Sequence, residues 1–438
     1  MENREKPSFF SIAGMKNSLT LKFFMLGVVL LLMMFPVLLN GSLRSERAAR
    51  AHAAEHEVSG KWGGPQHIAA PVLQIGLEYC VATKNGPIKK REILNLLPEK
   101  LNVTGSIAPE QRYRGIYPVL LYRSSLVLEG EFVVTLPRQV VAADRKIVPN
   151  DLTLQFEISD IKGISEFQLD FGGLKIKSVP GARNGNGIHC ELPAEPVVSA
   201  MGKPIKFRAE LALKGCRELM FQPLGSEFTM KLESPWPHPS FTGGFLPTAR
   251  AIFEDGFVAE WKISELNRTY PQAFISGDTD RFTAENSVGV ALVQVAGPYQ
   301  QVERVNDYAI LVIVIVLFAF LVGERLAKIW IHPLQYLFAG LSLVLFYTLL
   351  LAFSEHLNFG LSYVLSVLLI VALSTGYARA IFAGKNTPAL LLGATVALSY
   401  ALIYALVRME DYALLAGSAI LFVMLAVLMK FTGRINRQ

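Results

Sequence analysis

Six apolar runs of 16 to 20 residues constrain this chain more than any other feature: Phe23–Leu39, Tyr308–Gly323, Leu334–Phe353, Leu361–Ala378, Pro388–Val407 and Tyr412–Met429. A helix rises about 1.5 Å per residue, so each run reaches, or nearly reaches, across a hydrocarbon core of roughly 30 Å. Composition agrees. Of 438 residues, 52% are hydrophobic and 18% charged, with mean hydropathy +0.37, whereas soluble domains carry roughly a quarter charged residues. A disordered chain, a collagen, a coiled coil and a small disulfide scaffold are excluded. The chain reads as an integral membrane protein.

The second run is the shortest, and Glu324 and Arg325 are expected to complete it by reaching toward the headgroups. Pro36 is expected to bend the first span near its far end. That span follows a basic leader, so a cleavable signal is the alternative. The small-residue triplet Ala51-His52-Ala53 lies more than ten residues past the apolar run, too far for ordinary processing, and the span reads as an uncleaved anchor.

Charge placement orients the spans. Residues 41–307 hold 30 basic and 30 acidic residues, so the whole net charge of +6 lies outside them. The excess sits at helix ends, where it signals topology and not a nucleic-acid surface. The proposed inner side carries Arg4, Lys6, Lys16, Lys22, Arg325, Lys328, Arg379, Lys385, Lys430, Arg434 and Arg437; the two short outer turns carry only Arg408. Both termini are therefore expected in the cytoplasm. Arg44, Arg47 and Arg50 follow the first span on the outer side, but long loops translocate largely regardless of charge.

The organisation expected is a cytoplasmic leader (1–22), a transmembrane anchor (23–39), a β-rich periplasmic domain (40–307), a five-helix transmembrane bundle (308–429) and a cytoplasmic tail (430–438). Ser42–Val58, Ala-rich and charged, is expected to continue the first helix outward. Beyond it Pro71–Ala82, Leu126–Leu136, Leu152–Ile158, Phe207–Leu213, Glu227–Glu233, Phe257–Ile263 and Val288–Val295 alternate apolar and polar residues between Gly, Pro and Asn clusters such as Gly181–Gly187. This pattern predicts an antiparallel sandwich or a related β-rich fold, and the whole chain an α+β membrane protein. Cys80, Cys190 and Cys216 all fall in this domain, where an oxidising compartment permits one disulfide; no pair is singled out.

Several strings carry a resemblance: Phe221-Gln222-Pro223-Leu224-Gly225, Ser234-Pro235-Trp236-Pro237-His238-Pro239-Ser240-Phe241, Gly244-Phe245-Leu246-Pro247, Gly256-Phe257 and Ala259-Glu260-Trp261. In the membrane region His332-Pro333-Leu334-Gln335-Tyr336 precedes a span ending in Ser354-Glu355-His356. From first span to last the chain closely resembles the CreD family of bacterial inner-membrane proteins. Trp62-Gly63-Gly64-Pro65-Gln66 fits the family's Gly/Gln signature, while Ala70-Pro71 stands where the family usually shows Gly-Pro, and Gly76 where Pro is common. The resemblance implies a Gram-negative inner-membrane location and a part in envelope maintenance, often under stress control. It implies no reaction.

Each notable residue has a plain structural reading beside a functional one. His332 and His356 bracket the third span 24 residues apart, about 36 Å along a helix, so they cannot share one site. His332-Pro333 suits a helix start, and Ser354-Glu355-His356 a helix end; Glu355 and His356 remain candidates. His52 and His56 have metal-ligand spacing, with only Glu55 and Glu57 nearby. Trp236, His238 and Phe241 lie in a string whose prolines fix an extended path, either a rigid crossover or a binding surface. Gln66 is a candidate through the family signature. Asp278 with Asp280, and Glu254 with Asp255, share turns. Polar span residues (Ser342, Thr348, Ser366, Ser374, Thr375, Thr395, Ser399, Ser418) include no mid-bilayer charge, and Ala372-Gly376-Ala380 predicts close helix packing.

No nucleophile–base pair, HExxH, Walker loop, dinucleotide fingerprint or CxxC is present. The expected function is non-enzymatic, without cofactor or metal. The partners expected are the lipid bilayer and an envelope or periplasmic protein, with no nucleic acid. A transporter or lipid-handling protein is the alternative, disfavoured by the lack of buried charge. The oligomeric state is open.

Overall fold

The computed structural model describes residues 19–409 except 84–85, 138–139, 141–144, 183–184, 276–285, 294–297 and 383, and after 409 only 415, 417–419, 422, 426, 429 and 430. The sixth apolar run and the Asp278/Asp280 turn therefore lie outside the described residues or nearly so. The chain forms two units, 1–50 with 296–438, and 51–295.

Helix α1 (Leu19–Trp62) is 44 residues long and runs unbroken through Pro36. The charged stretch after the apolar run thus extends the helix, as its Ala-rich composition predicts. Four more apolar helices follow the β-rich unit: α4 (Ala309–Ala327), α5 (Pro333–Ser354), α6 (Phe359–Ile381) and α7 (Asn386–Arg408), all long enough to span a bilayer. They are preceded by the short α3 (Pro298–Asp307); α2 (Ala194–Ser199) belongs to the β-rich unit.

The first span is more than an anchor. Val29, Met33 and Val37 on one face of α1 are buried in the same apolar cluster as Val316, Tyr336, Leu343 and Tyr400. Gly340 on α5 lets that face approach, because a Cβ there would lie 2.8 Å from the Met33 sulfur. Ala372, Gly376 and Ala380 play no such part among the described residues: all three are exposed, and nothing lies within 4 Å of a Cβ built on Gly376. The close approaches fall instead at Gly340, at Gly323 beside Phe382 and at Gly393 beside Thr375.

In the other unit the strands are β1 (Gln66–Thr83), β2 (Gly86–Leu96), β3 (Lys100–Arg114), β4 (Tyr117–Val133), β5 (Lys146–Ile158), β6 (Ile164–Phe171), β7 (Leu174–Ile176), β8 (Ser178–Ala182) and β9 (Gly185–Glu191). They continue as β10 (Pro204–Cys216), β11 (Glu218–Phe221), β12 (Glu227–Ser234), β13 (Pro239–Gly243), β14 (Ala249–Phe253), β15 (Gly256–Ser264), β16 (Ala273–Ile275) and β17 (Val288–Leu292). One sheet has nine strands, β13-β17-β11-β1-β5-β9-β8 with β2 and β16 joined through β1; the other has eight, β14-β15-β12-β3-β4-β10-β6-β7. Inward-facing residues of both sheets, among them Leu73, Leu154, Leu128, Leu211 and Trp261, form one hydrophobic core, so the packing is sandwich-like.

The sheets are not purely antiparallel. β1 pairs with β11, and β12 with β3, in parallel. Parallel neighbours need long crossovers, which local alternation cannot reveal. The two positions that depart from the family pattern fall at irregularities inside β1, not in a turn: the β1–β5 register shifts between Ala69 and Val72, and again between Ile75 and Leu77. Pro71 is tolerated at the first because a bulge frees it from the ladder.

Candidate functional site

The Trp236 string is a crossover between sheets. The chain leaves the eight-stranded sheet at Ser234 and enters the nine-stranded sheet at Pro239. Proline-fixed backbone suits this passage because donors missing from the ladder are not needed there. Trp236 Nε1 donates to the Val293 carbonyl at 3.1 Å, and the Val293 amide donates to the His238 carbonyl at 3.2 Å. Phe241 packs edge-on against Phe257 and Trp261, each at 5.8 Å between ring centres. The His238 ring stays exposed.

Gln66 is a buried staple. Its amide nitrogen donates to the carbonyls of Asp160 and Lys214, both at 3.1 Å, joining the start of β1 to the end of β5 and to β10. Nearby, Val58 and Trp62 of α1 pack against Val119, Leu121 and Cys216, and Arg112 stacks over the Trp62 ring at 4.1 Å. Glu55 takes Arg217 through two bonds of 2.6 and 2.7 Å, and Glu57 pairs with Lys61 and Arg114. Both carboxylates beside the His52/His56 pair are thereby engaged by cations. All three cysteines are free thiols; burial pushes Cys190 up to about 12 and Cys216 up to about 11.

In the helical unit His332 caps α5: its Nδ1 accepts from the Leu334 amide at 3.3 Å, and its own amide donates to Gln335 Oε1 at 2.9 Å. The two members of the Glu355/His356 pair part company. Glu355 turns inward to Arg47 of α1 at 3.7 Å and to the Tyr299 hydroxyl at 3.4 Å, while His356 is exposed. Arg44 pairs with Glu303 at 2.9 Å, and Asn40 accepts a 2.7 Å bond from Thr348.

Glu324 corrects an expectation. It does not reach outward from the end of α4 but is buried at 1% exposure, bonded by Lys22 of α1 and by the Tyr336 hydroxyl at 2.7 Å. An unpaired carboxylate in that setting would be costly, and the ammonium and phenol are what make it tolerable. Thus α1 is held to the unit by polar contacts at both ends of its apolar run. The signal in the sequence was an acid beside a span; its partner stands 302 residues away.

A second feature lies on the nine-stranded sheet. The parallel β1–β11 pairing sets His67 opposite Met220 and Ile68 opposite Phe221, and the Gln222 amide donates to the Ile68 carbonyl at 2.9 Å. Two strings far apart in the chain so meet at a groove of about 340 Å³, lined by His67, Ile68, Glu157, Ser159, Asn186 and Gln222 among others. Burial raises the Glu157 carboxyl above the usual range. His67 faces Glu218, with Nε2 at 3.5 Å from its carboxylate.

The family model described as inner membrane protein CreD matches residues 18–438. The inner membrane protein CreD of Escherichia coli (strain K12) is 32% identical over 430 residues, covering 96% of this chain and 94% of that one. Among solved structures, an M1 zinc metallopeptidase from Deinococcus radiodurans overlaps 38% of each chain at 12% identity, with a TM-score of 0.18. A family model matched along nearly the whole length and a relative 32% identical over 96% of the chain show that this chain belongs to the CreD family of inner membrane proteins.

Proposed function

We propose that this inner membrane protein supports the integrity of the cell envelope, without catalysing a reaction, through a periplasmic domain that engages an envelope component. The observation that carries the reading is the groove on the nine-stranded sheet, a recessed site with a largely polar lining where β1, β5, β9 and the residue after β11 come together. Lys/Arg placement supports cytoplasmic termini and a periplasmic residue 40–307 segment. Reporter fusions at residue 200 and at the C-terminus test that topology; a cytoplasmic signal at 200 would end it. Deletion of the gene is expected to raise entry of a small probe through the envelope under stress, and an unchanged barrier would sink the integrity reading.

A second reading, transport or lipid handling by the helices, gains from one observation. Glu324 supplies a buried charge inside the helical unit, and intramembrane ionisable groups often mark conduits. If Glu324→Gln inserts normally yet fails to restore the barrier, this reading moves ahead. Loss of function confined to changes in the β-rich unit favours the first.

A further inference from the structure

In the groove on the nine-stranded sheet each side-chain hydroxyl and amide nitrogen already makes one bond. Ser159 Oγ donates to the Pro65 carbonyl at 2.8 Å. Asn186 Nδ2 donates to the Ser159 carbonyl at 3.2 Å, and Gln222 Nε2 to the Tyr270 hydroxyl at 3.4 Å. The feature that distinguishes the groove is its charged acceptor. Glu157 receives one long bond of 3.5 Å from Gln155 Nε2, and no cation pairs with it among the described residues. Gln155 is itself buried at 1% exposure, and its Oε1 has no hydrogen-bond partner. Among the groove's lining residues Glu157 and His67 are the titratable ones, and His67 is directed toward Glu218.

A half-buried carboxylate without a counter-charge, beside an unused amide oxygen, is matched best by a small cation rich in N–H donors. We infer that this groove binds the primary ammonium group of an envelope component. Three N–H bonds on one nitrogen suit a carboxylate and neighbouring oxygens, and the positive charge relieves the desolvation of Glu157. Ile68, Ala69 and Ile158 supply the apolar part of the lining, beside which the carbon skeleton that bears the amine can lie. Amino sugars and ethanolamine headgroups both present this chemistry. The inference rests on the reading that the outer domain engages an envelope component.

The test uses the full chain in phosphatidylcholine nanodiscs, titrated calorimetrically with glucosamine and with phosphoethanolamine. N-acetylglucosamine and phosphocholine serve as counterparts lacking a primary ammonium. Binding of glucosamine alone identifies the sugar source, and of phosphoethanolamine alone the headgroup; either supports the inference, as does binding of both. Glu157→Gln, nearly isosteric, is expected to weaken the amine at least about tenfold, while Glu157→Asp keeps most of the affinity. Asn186→Lys, an exposed change that sets a competing ammonium at the rim, is expected to displace the amine without disturbing the core. Equal binding of the capped compounds, unchanged affinity in Glu157→Gln and Asn186→Lys, or no binding of either amine would overturn it. Should no amine bind while the chain still restores the envelope barrier, this inference falls and the integrity reading stands.

Discussion

Tyr336 donates a 2.7 Å hydrogen bond to Glu324, and both side chains are buried in the helical unit. With Lys22 on the other side of the carboxylate, the bond turns a charge at the end of α4 into a joint between three helices. Removing one partner leaves the others desolvated and unmatched.

Lys22→Met is therefore expected to destabilise the protein in detergent by about 3 kcal/mol, since it strands a buried carboxylate. The double change Lys22→Met with Glu324→Met should recover most of that loss, because a buried pair replaced by apolar groups of similar size is often neutral. Thermal melting of the wild type, each single variant and the double variant measures the coupling. A double mutant as unstable as the sum of its parts would contradict the joint.

Met33 and Gly340 test the same packing by shape. Gly340→Leu drives side-chain atoms into the Met33 thioether and should cost about 1–3 kcal/mol. Adding Met33→Ala should return part of it. If Gly340→Leu melts like the wild type, α1 does not lie on that face of α5.

Gln66→Leu keeps the size of the side chain but leaves the Asp160 and Lys214 carbonyls without their donor. A loss of about 1–3 kcal/mol is expected for a buried acceptor so stranded. Hydrogen exchange of the full chain should report it as weaker protection at the start of β1 and the end of β5, with the helices unchanged.

The cysteines set a pH dependence. Burial holds the neutral thiols of Cys190 and Cys216, up to about 12 and about 11, whereas an unfolded thiol ionises near about 8.5. Above that value the unfolded chain binds fewer protons than the folded one, so stability contributed by these two groups is present below about pH 8.5 and falls as pH rises toward 11. A thiol-reactive dye at pH 8 should label one site, Cys80, in the folded protein and three after denaturation. Rapid labelling of all three would show that the two inner thiols are not shielded.

Much of this architecture was legible in the chain. Five of the apolar runs became helices of span length, and every alternating run named lies in or overlaps a strand, although β4 stops at Val133 and β17 at Leu292, since both patterns depend on local period alone. β3 escaped notice because Gly105 and Pro109 interrupt its alternation and its far half is exposed. The parallel pairings and the crossover at Trp236 depend on which strand comes back beside which, a non-local property. Glu324 misled for the same reason: next to Arg325 it looks like a headgroup-facing residue, and only Lys22 and Tyr336 reveal otherwise. The groove joins His67 to Gln222 through the β1–β11 register, which no short string contains.

Probe entry in a deletion strain, complemented by the full chain or by residues 1–295 alone, decides whether the domain between the first two apolar helices carries the function. Residues 1–295, inserted and stable, are expected to restore the barrier. Restoration by the full chain only, with 1–295 equally abundant in the membrane, would contradict it and assign the action to the helices.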